Sequence, residues 1–226
     1  MLMKERQIIM EFKLLKKLAG LRGTELILLL VAVALAAVLI VAARRYERAD
    51  APAPKKRTRS LVYGALCLTL SFVLSYFKLF SISFGGSVTL CSMLPIMLYA
   101  YVFGPAYGFL AAFAYAWLQF IQGTPFIPHW AVLVLDYLVA FTCYGIPSLF
   151  PKNLKLGIAA GGTARLLAST ISGAIFFGSY GLDYGFADPW AYSFVYNMLT
   201  IGIDTVLTLV AAALLPMKRL ESIMRG

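Results

Sequence analysis

Seven apolar runs, parted by short polar or basic breaks, leave this chain one class of fold. They cover residues 26–43, 61–77, 87–103, 105–121, 129–150, 155–179 and 190–215. About 18 mostly apolar residues suffice to cross the hydrocarbon of a bilayer. Overall 61% of residues are hydrophobic and the mean hydropathy is +0.82, well above the ~45–50% apolar share of soluble domains. In lipid only helices and closed barrels satisfy every backbone polar group. A barrel shows ten-residue segments of alternating polarity, and none occurs here. The sequence therefore predicts an all-α integral membrane protein of the cell membrane, multi-pass. It is expected to be a six-helix transmembrane bundle preceded by one extra N-terminal hydrophobic helix.

The breaks set the predicted organisation. Residues 1–23 mix apolar side chains with Lys4, Arg6, Lys13, Lys16 and Lys17. They read either as a basic amphipathic tail on an anionic surface or as a solvated tail. Residues 24–43 form the extra hydrophobic helix. A signal peptide is the competing reading, but Arg44 and Arg45 follow where small cleavage-site residues are expected. Residues 44–60 hold seven Lys/Arg and two prolines, a basic cytoplasmic linker by the positive-inside rule. Residues 61–217 are the six-helix membrane domain and 218–226 a cytoplasmic tail. Threaded from that linker, the inner breaks and tail hold Lys152, Lys155, Lys218, Arg219 and Arg225, and the outer breaks hold Lys78, Asp183 and Asp188. The first helix fits this map less well: if it spans, residues 1–23 lie outside, against the rule.

The net charge of +10 does not point to nucleic acid, because the basic residues flank apolar runs. Cys67, Cys91 and Cys143 lie in apolar runs with no CxxC and no histidine at metal-ligand spacing, which reads as small buried hydrophobes. No catalytic, metal or cofactor site is expected. There is no phosphate-binding GxxxxGK[ST] loop and no GxSxG or HExxH. Small residues recur every four positions at Gly104, Gly108, Ala112 and Ala116, and again at Gly157 and Gly161 and at Ala160, Ala164 and Ala168. Such stripes let helix backbones approach in lipid, either inside the bundle or against another membrane subunit.

Charge inside an apolar run carries the functional reading. Asp136 lies seven residues from the outer end of its run, roughly 10 Å deep at 1.5 Å per residue. A carboxylate at such depth costs about 2.5–3.5 kcal/mol on insertion scales, so it has a partner or a task. Asn197 is seven residues into the last run, with Tyr137, Tyr192 and Tyr196 near that level. A carboxylate and an amide among phenols suit a small flat cation. Arg165 and Asp204 each lie about 14 residues in from the outer end of their runs, roughly 21 Å down. They are expected to form a structural ion pair; a proton relay is the rival reading. His129, the single histidine, stands at the outer mouth after Pro125 and Pro128, as a lid residue or a solvated one.

From Gly85 to about Leu215 the chain resembles the ThiT-like S-components, the thiamine-binding membrane subunits of energy-coupling factor (ECF) transporters. The matching stretches are GGSVTLCSMLPIML, LDYLVAF, ISGAIFFGSYG and WAYSFVYN, in that order. The resemblance implies a six-helix vitamin-binding subunit that works with an ECF transmembrane coupling protein and two cytoplasmic ATPase subunits. It places Asp136 and Tyr137 on the family's acidic–Tyr pair, Tyr192 and Asn197 on its late Tyr and Asn, and Arg165 one turn before its pocket histidine. Ser169 stands where that histidine is, Phe177 where a tryptophan is, and Gly86 where a tryptophan of the first outer loop is, so Phe84 is expected to cover that side. The expected ligand is thiamine or a related small cationic vitamin. The alternatives are an S-component for another vitamin or a pyrimidine precursor, and a solitary proton-coupled secondary transporter using Arg165 and Asp204.

Overall fold

In the computed structural model the described residues are 54–81, 86–123 and 130–226. The expected N-terminal tail (1–23), the extra helix (24–43) and most of the linker lie outside them, as do Phe84 and His129.

The described chain is almost entirely helical. Helix α1 (Pro54–Tyr76) leads into a short antiparallel hairpin, β1 (Lys78–Ser81) with β2 (Ser87–Thr89). Helices α2 (Leu94–Phe103) and α3 (Pro105–Gly123) follow, joined at Gly104. Gly104 has φ 86°, a turn natural to glycine, and Pro105 restarts the helix behind it. Helix α4 occupies 130–149, α5 Leu154–Phe176, α6 Pro189–Leu214 and α7 Met217–Arg225. Two caps fix where α5 and α6 begin. Asn153 accepts from the Leu156 N–H at 3.1 Å. Asp188 accepts from the Trp190 and Ala191 N–H groups, with Pro189 in the first turn.

Three boundaries differ from the sequence expectation. α1 starts at Pro54, inside the expected linker, and Ser60 is buried. The expected span 87–103 is only half helix. Ser87–Met93 is extended or turn-like, and α2 has 10 residues, roughly 15 Å. Val88 and Met93 are fully buried, so this irregular stretch lies within the bundle; irregular backbone is tolerated at membrane depth only when protein covers it. Last, the expected tail is a docked helix: α7 packs against α2, and its Met224 is buried in the apolar core. The Arg59 guanidinium donates to the Met224 and Ile223 carbonyls at the end of that helix.

The glycine stripes serve packing inside the bundle. A Cβ on Gly108 meets the Ala100 Cα at 2.8 Å, and one on Gly157 meets the Pro147 Cα at 2.7 Å. Side chains point the other way on the outer faces. Leu66, Leu110, Ile121, Leu167, Val206 and Leu214 are all exposed. Apolar exposure on every side of a helical bundle is what lipid accepts and water does not. By length and composition alone, Thr58–Tyr76 and Pro189–Leu214 can each cross a membrane.

Candidate ligand site

The site is built where two helices leave regular α geometry. Within α4, residues Leu133–Val139 form a π-helical turn that carries Asp136 and Tyr137. Within α6, Met198–Gly202 forms another, directly after Asn197. Wide turns of this kind occur most often at functional positions, because the added residue turns side chains out of their regular register.

α5 lies between these two segments. Its Ser172 hydroxyl donates to Asp136 Oδ2 at 2.9 Å, and Ser169 stands near the same carboxylate. Ser169 and Ser172 are three residues apart, so both face one side of α5. Gly173 lets α6 close in, since a Cβ there meets the Ser193 hydroxyl. Tyr196 of α6 stands within electrostatic range of Asp136 and Tyr137. The Tyr192 ring lies 6.2 Å from those of Tyr184 and Tyr196 and 5.8 Å from that of Phe186. Tyr137 contacts Phe120 at 5.5 Å and Phe141 at 6.1 Å. A carboxylate with a hydroxyl donor, and a second serine nearby, thus stands beside a band of phenols, the polar and aromatic set that orients a flat cation.

The other expected residues fall as follows. Phe177 caps the end of α5 and lies 6.1 Å from the Tyr180 ring. Asn197 is buried, with its amide N–H group turned back to the Ser193 carbonyl (2.9 Å) and hydroxyl (3.3 Å). Gly86 abuts Thr200 and Tyr196; its missing Cβ would come within 2.9 Å of the Tyr196 hydroxyl oxygen. The Tyr196 ring therefore occupies space that a larger residue at 86 would need.

The expected ion pair is corrected. Among the described residues no ion pair joins Arg165 and Asp204; the one present is Arg225–Glu221 on α7, at 2.9 Å. The Arg165 guanidinium lies over the rings of Phe141 (4.2 Å) and Tyr144 (5.1 Å) and donates to the Tyr144 hydroxyl. Asp204 accepts instead from Thr89 Oγ1 at 3.1 and 3.2 Å. Thr89, the last residue of β2, supplies the donor that Asp204 takes. The aromatic faces of α4 take up the guanidinium.

Sequence reasoning passed over Ser172 and Thr89 as polar partners. Ser172 was findable from its spacing to Ser169. Thr89 was not, because its role follows from a break in a run that reads as continuous helix.

The family described as "Thiamine transporter protein (Thia_YuaJ)" matches residues 61–224 of this chain. Among curated proteins, the thiamine transporter ThiT of Bacillus subtilis (strain 168) is 31% identical over 129 residues, which is 50% of this chain and 66% of that protein. The chain thus spans just under two thirds of the length of the curated relative it matches.

Proposed function

The chain belongs to the thiamine transporter family, and on that premise we propose that it is the substrate-binding membrane subunit of an ECF-type vitamin transporter, with thiamine as its ligand. The single observation that carries this reading is the Asp136 carboxylate, partly buried between α4 and α5, held by Ser172 at 2.9 Å and within electrostatic range of Tyr137 and Tyr196. In this reading six spans cross the cell membrane, with the hairpin and the α5–α6 connection at the outer face. The ligand enters from outside. Its positive ring sits against Asp136 between aromatic faces, while Tyr192 and Asn197 line the α6 side and Phe177 the end of α5. Tyr137 and Ser169 offer further hydrogen bonds. Release inward is driven by a transmembrane coupling protein and two cytoplasmic ATPase subunits, which supply the nucleotide chemistry that this sequence has no motif for.

Titration of the purified chain with thiamine, followed by tryptophan fluorescence, tests the ligand; no saturable response at micromolar thiamine overturns it. Co-purification with an ATPase module tests the partners. A second reading, the same subunit type with another vitamin or a pyrimidine precursor, is favoured by Ser169, which brings a hydroxyl to Asp136 where the resemblance places an imidazole. Mass spectrometry of ligand carried through purification separates the two. The solitary proton-coupled transporter has less support, because Arg165 and Asp204 do not touch.

A further inference from the structure

Helix α7 carries charge where its own backbone disfavours it. Lys218 and Arg219 stand in its first turn, which holds no acid, and both are exposed. A helix dipole is positive at its N-terminus and favours anions there, so two cations in the first turn gain nothing from the helix itself. Glu221, the acid of α7, is paired with Arg225 at 2.9 Å.

The apolar residues fix where this helix lies. Met217, Leu220 and Met224 share one side of α7 and turn inward: Met224 is buried, and the other two pack against the core. The far end is held on α1, where Arg59 donates to the Ile223 and Met224 carbonyls and the Tyr63 hydroxyl to that of Ile223. The outer face is apolar as well as charged. Ile223, one turn after Arg219 and on the same side, is 49% exposed. The connector into the helix exposes Leu214 (80%) and Leu215 (48%). Leu214 ends α6, a helix long and apolar enough to cross a membrane. Met217 follows Leu215 by two residues, so at most roughly 7 Å of chain parts α7 from leucines that the bundle turns toward lipid. The first turn of α7 therefore stands where hydrocarbon meets headgroups.

We propose that the outer face of α7, formed by Lys218, Arg219 and Ile223, is a docking surface for anionic phospholipid, a reading that rests on the fold as a membrane bundle and is independent of the ligand. Charge complementarity selects this occupant. Cations directly after a span are drawn to anionic headgroups over about a Debye length, and the apolar side chains beside them reach the acyl chains, as in helices that lie in the membrane surface. Free phosphate would answer the two cations and leave Ile223 and Leu215 in water. The docked lipid holds α7 on the bundle from outside, as Arg59 does from within.

Native mass spectrometry of the full-length chain in neutral detergent, with equal amounts of phosphatidylglycerol and phosphatidylcholine, tests the surface. The wild type is expected to retain phosphatidylglycerol in preference. The double variant Lys218→Gln with Arg219→Gln should lower that preference at least about fivefold, the usual effect of one cation near an anionic surface. Lys152→Gln with Lys155→Gln removes the same charge from exposed positions around the start of α5 and is expected to keep it. A second measurement uses the wild type alone: trypsin should cut at Lys218 and Arg219 more slowly in phosphatidylglycerol nanodiscs than in phosphatidylcholine nanodiscs, and inorganic phosphate added to the latter should not slow it. An unchanged preference in the α7 variant, equal loss in the two double variants, or equal cleavage in both nanodiscs overturns the proposal. Protection by inorganic phosphate alone also overturns it. So does an α7 variant that keeps its lipid preference but no longer co-purifies with an ATPase module, since the face then docks protein.

Discussion

Asp136 was legible as a candidate from one line of sequence, since a lone acid in an apolar run stands out by its energetic penalty. Its surroundings were less legible. Ser172 donates to it at 2.9 Å, and serines are too common in membrane helices to mark themselves. If the carboxylate faces a cation, Asp136→Asn keeps the shape and removes the charge. Thiamine binding should weaken at least tenfold, about 1.4 kcal/mol, as read by fluorescence titration. Ser172→Ala removes one donor that orients the carboxylate. A loss of about 0.5–1.5 kcal/mol is expected for a bond of this kind, so affinity should fall a few-fold; an unchanged affinity would show that Ser172 does not position Asp136. Arg165 makes the complementary point. Its charge and depth were read from sequence, but its partners are rings on α4. Aromatic residues are plentiful in this chain, and nothing in their spacing told Phe141 and Tyr144 apart from the rest.

At the level of the helices, six apolar runs became six helical segments, because lipid forces backbone hydrogen bonding within each segment. The interruptions were hidden. The π turns at Leu133–Val139 and Met198–Gly202, and the extended stretch before α2, were not marked as breaks, since the few polar residues in them (Asp136, Thr200, Ser87, Thr89 and Ser92) are scattered among apolar ones. Helix contacts fared better. The glycine spacing pointed to close backbone approach, and Gly157 indeed lies against the Pro147 backbone. Gly157→Val should therefore lower stability by about 1–3 kcal/mol, the usual range for overpacking. The measurement is thermal unfolding in detergent, with Leu167→Val on an exposed face as the control expected to change little. Equal melting of the two variants would contradict the close α4–α5 contact.

For the molecule as a whole, the C-terminal helix closes the bundle. α7 buries Met224, and Arg59 of α1 caps it by donating to its last carbonyls. Arg59→Ala should loosen that helix by about 1–2 kcal/mol, as hydrogen bonds from a charged donor usually contribute. Trypsin should then cut at Lys218 and Arg219 faster than in the wild type; an unchanged rate would show that Arg59 does not hold α7. The proposed orientation has its own test. In a background with the native cysteines replaced, a membrane-impermeant thiol reagent added to intact cells should label Asp183→Cys and spare Lys152→Cys. The reverse pattern would invert the map. The sequence by itself determined the class of fold, the run boundaries to within about two helical turns, and the one acid worth watching, because burial in lipid penalises charge and open backbone strongly enough to be read residue by residue. Which partners those residues meet was decided only by tertiary structure. A one-residue widening of a helix, or a few extended residues folded into a bundle, redirects side chains over many ångströms without changing composition or periodicity.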